Sequence, residues 1–339
     1  MIVSETRQSF LNIVSTRSNY VDEVYSGKYH LLVAASSWDR RSTVICDSTN
    51  LHANIAVLFN FKKKDASGLS FESEFKLREA LKARSTELCV SEVDAADFES
   101  NWEHLLKQLL KCYQYNLGPI NVFVDLSTIP RYLSLGILGY GLKNGILRSI
   151  VFGYSEGCYS DATPSSVAQE LFTEGGWRAI PIPGLWGEWE PYRERHYVVS
   201  VGFEGVKTRQ FVSRSEPDKV SVLFPDPAVQ VGYEAVALQC NARLVTEFSI
   251  PDSRVIRAHA TDLNATLKSL SDAAIENFET DNLTYICCGT KPHSLAMAIR
   301  AAVLQEPAVL YMVPESHRVS EVKPNGNYWR YEISDASVF

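Results

Sequence analysis

The amino-acid sequence predicts an α/β protein of two tandem Rossmann-like domains. Each is a doubly wound, mainly parallel sheet, and together they are expected to form a pseudo-dimer. Three observations carry this. Short, near-continuous apolar runs recur along the chain, and such runs suit strands buried on both faces of a parallel sheet. Amphipathic segments of helical period alternate with them, the βαβ pattern. The same ordered series of segments occurs twice. The 339 residues suffice for two domains, and 45% hydrophobic with 22% charged residues is the balance of a folded globular protein.

In the first half, HLLVAA (His30–Ala35) reads as a strand, followed by the polar loop Ser36–Ser42 and a second strand, NIAVLF (Asn54–Phe59). A helix is predicted over Glu72–Ala83 and a short strand over Glu87–Val90. Asp97–Lys111 reads as an amphipathic helix capped by Asp97, with Trp102, Leu105, Leu106, Leu109 and Leu110 on one face. Then come the strand INVFVD (Ile120–Asp125), a helix from about Ile129, and the strand SIVFGY (Ser149–Tyr154).

The second half repeats this order. Strands are predicted at His196–Val201, Lys219–Phe224, around Leu244–Phe248, at Leu283–Cys288 and at Ala308–Val313. Helices are predicted at Val229–Gln239, at Asp262–Ile275 with Asp262 as cap, and after Lys291. Thr128-Ile129-Pro130-Arg131 matches Thr290-Lys291-Pro292-His293. Trp177–Ile182 matches Trp329–Ile333 and offers a sixth strand in each half. The expected division is an N-terminal arm or helix at 1–25, a first domain at 26–185, a linker at 186–195 and a second domain at 196–339. Ser155–Glu194, rich in Pro, Gly and Trp, connects the halves, with a short helix near Ser166–Phe172.

Composition excludes several function classes. No apolar run reaches transmembrane length, and the N-terminus lacks the apolar core of a secretory signal, so a cytoplasmic protein without membrane association is expected. The net charge of −7 disfavours broad contact with duplex nucleic acid, though not a local basic pocket. The seven cysteines have no CxxC pairing, so reduced thiols are expected rather than disulfides or a metal site, and the adjacent Cys287 and Cys288 read as core packing. No GxGxxG, phosphate-binding lysine loop, HExxH or EF-hand pattern occurs, and no bound cofactor is expected. No Ser/His/Asp triad is legible by spacing, and His30 and His196, at strand starts, read as structural.

Ligands of open parallel sheets bind outside the carboxyl ends of the strands, so the loops there hold the candidate site. In the second half that loop is Cys288-Gly289-Thr290-Lys291-Pro292-His293. Gly289 allows close backbone approach, Thr290 is a good N-cap, and Pro292 suits the first helical turn. A helix start of this kind is either simply capped or also presents N–H groups and a positive dipole end to an anion, with Lys291 and His293 adding charge or donors. The first half places Ser127, Thr128 and Arg131 in the same position. After the first strands lie Ser36, Ser37, Asp39, Arg40 and Arg41 in one half, the arginines able to grip phosphate, and Glu204 and Lys207 in the other.

Leu283–Lys291, followed by a helix of small residues, resembles the CARF (CRISPR-associated Rossmann fold) ligand-sensing domains, whose strand ends in a Gly-Thr-Lys loop. The polar loop after the first strand fits them too, whereas the first half has Leu-Ser-Thr-Ile in place of Gly-Thr-Lys. The resemblance implies two units paired about a two-fold axis that bind a cyclic oligoadenylate across the seam, in prokaryotic antiviral defence. The two halves use nearly the whole chain, so the output is expected to lie with a separate effector protein. The leading expectation is therefore a nucleotide-binding or nucleotide-sensing component, cyclic oligonucleotides included. The alternatives are an enzyme that cleaves or transfers a nucleotide or phosphosugar in the same pocket, and a non-catalytic scaffold subunit of a defence complex.

Overall fold

The computed structural model describes residues 11–61, 68–94, 97–159, 173–273, 277–318 and 322–335. The first half runs β1 (Leu11–Ser18), α1 (Val21–Val24), β2 (Gly27–Ser36), a 3-10 helix (Arg40–Asp47), β3 (Leu51–Phe61), α2 (Leu69–Arg84), β4 (Ser85–Val93), α3 (Phe98–Asn116), β5 (Ile120–Asp125), α4 (Arg131–Lys143) and β6 (Leu147–Tyr159). The second runs β7 (Thr173–Pro181), β8 (Glu194–Ser200), α5 (Gly205–Ser215), β9 (Lys219–Pro225), α6 (Tyr233–Glu247), β10 (Val255–Ala258), α7 (Leu263–Asp272), β11 (Asp281–Cys287), α8 (Lys291–Leu304), β12 (Ala308–His317) and β13 (Val322–Asp335).

These elements build two Rossmann-like units. One sheet has seven strands in the order β1-β13-β6-β5-β2-β3-β4, the other six in the order β10-β9-β8-β11-β12-β7. In each, five parallel strands share one order, fifth-fourth-first-second-third. Ile120–Asp125 and Leu283–Cys287 thus occupy equivalent strands, each beside the first parallel strand of its sheet. The apolar runs behave as read: Leu31–Ala35 and Val122–Val124 are all buried, as are Val198, Val199, Tyr285 and Ile286. Removing such side chains from water contributes about 1.5–3 kcal/mol for each Val, Leu, Ile or Phe. The matched caps also form: Asp97 accepts from the Ser100 N–H at 3.1 Å and Asp262 from the Ala265 N–H at 3.0 Å.

The sixth strand is exchanged between the halves. The Trp177 segment, β7, leaves the first half and pairs antiparallel with β12, whereas the Trp329 segment, β13, leaves the second and pairs antiparallel with β6. The compact units are accordingly Met1–Tyr159 with Val319–Phe339, and Ser160–Arg318, in place of the division at 185 and 196. Specific partners fix the exchange. The Trp329 indole donates to Glu156 Oε1 at 2.6 Å on β6, and Arg330 donates to the Val24 and Ser26 carbonyls at 3.2 and 3.3 Å.

Two other expectations are corrected. The described part of the N-terminal arm is an edge strand, β1, which runs antiparallel to β13, followed by one helical turn. The segment Leu244–Phe248 is the end of α6 and no strand; Val236, Cys240 and Leu244, at helical spacing, are buried, and the third parallel strand is β10. The helix expected near Ser166–Phe172 and the first ten residues lie outside the described residues. Among the described residues no helix is long and apolar enough to cross a membrane.

Candidate functional site

In a sheet of this order the direction of winding reverses between the first and fourth parallel strands, and the loops at their carboxyl ends part to leave a crevice. In the second unit these strands are β8 and β11. Their loops approach backbone to backbone: a Cβ placed on Gly202 would lie 3.6 Å from Gly289 Cα. A Cβ on Gly289 would fall 2.8 Å from the Val201 carbonyl oxygen, closer than such atoms pack, so that position requires glycine. The Gly289 N–H donates to Ser200 Oγ at 3.1 Å, and the Ser200 hydroxyl donates on to the Ile286 carbonyl at 3.2 Å.

Thr290 then caps α8. Its hydroxyl oxygen accepts from the His293 N–H at 3.2 Å and donates to the Ala260 carbonyl at 2.9 Å, with Pro292 in the first turn. Lys291 is half-buried at the first residue of α8. His293 is placed differently from its sequence reading. It is fully buried, and its Nε2 donates to the His259 carbonyl at 3.1 Å. Burial pushes its pKa down to about 4, so near neutrality it carries no charge for an anion. Glu204 and Lys207 both turn to the first residue of β7. Glu204 accepts from the Thr173 N–H and hydroxyl, each at 2.8 Å, and the buried Lys207 ammonium donates to the Thr173 hydroxyl at 2.9 Å and to its carbonyl. Their charges anchor the exchanged strand.

In the first unit the crevice strands are β2 and β5, and the side chains close on one another. Thr128 donates to the Ala35 carbonyl at 2.9 Å, tying the two loops together, and it does not cap α4, whose cap position is Pro130. Ser127 is buried; its Oγ accepts from the Ser155 N–H at 3.0 Å and meets the Tyr25 hydroxyl at 3.2 Å. Ser36 donates to Asn60 Oδ1 at 2.7 Å. Ser37 accepts from the Asp39 N–H at 3.1 Å. Arg41 is buried against Asp39, with its Nη2 2.6 Å from Oδ2, and lies between the rings of Tyr154 and Tyr159. Burial opposes that charge, but Asp39 and the tyrosines more than offset it, and the guanidinium stays ionised. It is a packing cation. Arg40 is exposed and Arg131 half-buried.

Two constellations escaped the sequence reading. Gly153-Tyr154-Ser155-Glu156-Gly157 spells the glycine-x-serine-x-glycine of a hydrolase nucleophile turn. Here it lies inside β6, and Ser155 is fully buried and paired in the sheet with Tyr328, so it presents no nucleophile. The clue lay in the apolar strand run that enters it. Ser221, His196 and Asp281 form a hydrogen-bonded relay: His196 Nε2 lies 2.9 Å from Ser221 Oγ, and Nδ1 lies 3.1 Å from Asp281 Oδ2. All three are buried, and Lys219 pairs with Asp281 at 2.8 Å. The relay ties β8, β9 and β11 together, the structural role expected of His196.

The cysteines are free thiols, and burial pushes Cys46 and Cys240 up to about 11 and Cys112 up to about 12, which leaves them protonated and unreactive. Among the described residues no group of three or more His, Cys, Asp or Glu could hold a metal ion. A shallow hollow of 460 Å³ lined by Arg209, Ala242, Arg243, Thr246 and Glu247 lies on α5 and α6, and none of the crevice loops lines it.

No family model matches the chain, and no curated protein matches it. Among solved structures it is similar to a functionally unknown protein, PA1789, from Pseudomonas aeruginosa PAO1, at 10% identity and a TM-score of 0.25 over 88% of this chain and 95% of that one. It is also similar to the cytoplasmic domain of a prokaryotic cation chloride cotransporter, at 9% identity and a TM-score of 0.22 over 85% of this chain and 96% of that one. Likenesses this remote carry no functional argument.

Proposed function

We propose that the β8/β11 crevice of the second unit binds the phosphate of a nucleotide, cyclic oligonucleotides included. The observation that carries this is the paired glycine approach of Gly202 and Gly289 directly before the capped start of α8, with Lys291 on its first turn. The glycines let the two loops pack closely beside the helix start, which adds a positive dipole end and a cation. The first unit, closed by Thr128 and Ser127, offers no comparable approach. On this reading, and on the resemblance to CARF domains, the chain is a cytoplasmic ligand-sensing component of prokaryotic antiviral defence, and a separate effector protein carries the output.

The test is to purify the native chain, release bound small molecules by denaturation and identify them by mass spectrometry, then incubate the protein with the nucleotide found. An intact, retained nucleotide supports sensing. Turnover assigns the pocket to an enzyme, and a preparation that carries and binds no nucleotide leaves a scaffold.

A further inference from the structure

The loop between β7 and β8 exposes aromatic side chains on a backbone tied to Asn282 of β11 and to the 306–309 segment. Trp186, Trp189 and Tyr192 are 61%, 60% and 77% exposed. Beneath them, Leu185 accepts from the Val309 N–H at 2.9 Å, the Glu188 N–H donates to the Glu306 carbonyl at 2.9 Å, and the Glu190 N–H donates to Asn282 Oδ1 at 2.8 Å. Asn282 returns a bond to the Glu190 carbonyl at 2.7 Å. Gly187, at φ +68°, lies so close to the 306–308 backbone that a Cβ there would meet Ala308 N at 2.5 Å. The chain therefore holds this loop in place while leaving most of the surface of its largest apolar groups exposed. Indoles this exposed in a fixed frame keep much of their apolar surface for a partner and are already ordered for binding, which removes much of the entropy cost of association.

The charge around them selects the partner. Glu188 is exposed and Glu190 half-buried, whereas Arg193 is directed to Glu306 at 3.1 Å and Lys219 holds Glu194. The loop thus combines exposed indole and phenol rings with the exposed Glu188 and the half-buried Glu190. Aromatic faces attract cations through their quadrupole, and carboxylates take guanidinium by paired hydrogen bonds. We infer that the Trp186–Tyr192 loop is a docking surface for a basic, arginine-bearing segment of a partner protein. This stands apart from the crevice and needs no ligand there.

The probe is an arginine-rich dodecapeptide titrated into the full chain, followed by calorimetry at moderate salt. Glutamate-rich and proline-rich peptides of equal length and phosphatidylcholine–phosphatidylserine vesicles serve as comparisons. The expected result is saturable binding of the arginine peptide alone. It should weaken roughly tenfold or more in W186A/W189A, since each ~1.4 kcal/mol is a factor of ten, and several-fold in E188Q/E190Q. Thermal melts should stay close to the wild type, because most of the surface of these indoles is exposed. Binding that falls in E188Q/E190Q but not in W186A/W189A overturns the proposal, for it would then be diffuse charge attraction. Binding of the proline-rich peptide or the vesicles in preference to the arginine peptide overturns it as well, as does no binding at all.

Discussion

Thr290 and Lys291 adjoin at the start of α8 and do separable work. Thr290 both caps the helix and holds the Ala260 carbonyl, so Thr290→Ala should cost about 1–2 kcal/mol of stability. Lys291→Ala should leave the melting temperature nearly unchanged and weaken nucleotide binding roughly tenfold, the loss of one charge-assisted contact of about 1.5–3 kcal/mol. Calorimetric titration beside thermal melts separates the two, and unaltered affinity in Lys291→Ala would reduce the loop to a capped helix start. His293 gives a pH dependence. Burial holds it down to about 4, whereas the unfolded imidazole titrates near ~6.5. The unfolded chain therefore takes up the proton first. The stability this group contributes is fully present above about pH 6.5 and is lost as pH falls towards 4, on the order of 3 kcal/mol in all. His293→Gln keeps a donor for the His259 carbonyl but cannot titrate, so its melting temperature should fall less steeply over that window. An equally steep fall would place the titrating group elsewhere, His196 first, since burial also lowers its pKa. At this scale sequence reading identified Thr290 as a cap but could not tell Arg40 from Arg41. The two are adjacent; only the packed Asp39, Tyr154 and Tyr159 decide that Arg41 is interior.

Helices and strands of the second unit meet at glycines whose role is steric. A Cβ on Gly205 would lie 2.0 Å from the Cys240 carbonyl oxygen, backbone against backbone, so α5 reaches α6 only because this residue is glycine. Gly205→Ala should destabilise by about 1–3 kcal/mol or more, as overpacking does. Gly118→Ala, with nothing within 4 Å of the added carbon, should stay within about 0.5 kcal/mol of wild type. Chemical denaturation of the two variants checks the contrast, and equal stability would mean that α5 shifts without cost. Element types were legible where burial imposes a period or a cap marks an end: both aspartate caps and the apolar strands formed as read. Leu244–Phe248 misled because Leu-Val-Thr-Glu-Phe, with its branched and aromatic residues, looks alike in a short strand and in the last turn of an amphipathic helix. Its burial on α6, four residues on from Cys240, settles the matter.

Across the whole molecule the strand exchange makes an unusual prediction about where damage appears. Truncation after Arg318 removes residues that follow the second unit in sequence, yet it strips β6 and β1 of their shared partner in the first. Amide hydrogen exchange should rise in β6 and β1 while β8, β9 and β11 keep their protection; loss confined to the second sheet would contradict the topology. By itself the sequence determined the α/β class, the doubled strand order and the strand-end loops that make the crevice. Those follow from local signals, namely apolar runs, caps, prolines and the repeat of each. Only the tertiary structure decided which sheet each sixth strand joins, which of the polar loop residues face inward, and that the strand-end loops of the second unit meet glycine to glycine. The two sixth strands carry the same Trp-bearing pattern, so nothing local distinguishes their partners. The choice rests on contacts between residues far apart in the chain, such as Trp329 with Glu156 and Thr173 with Glu204 and Lys207.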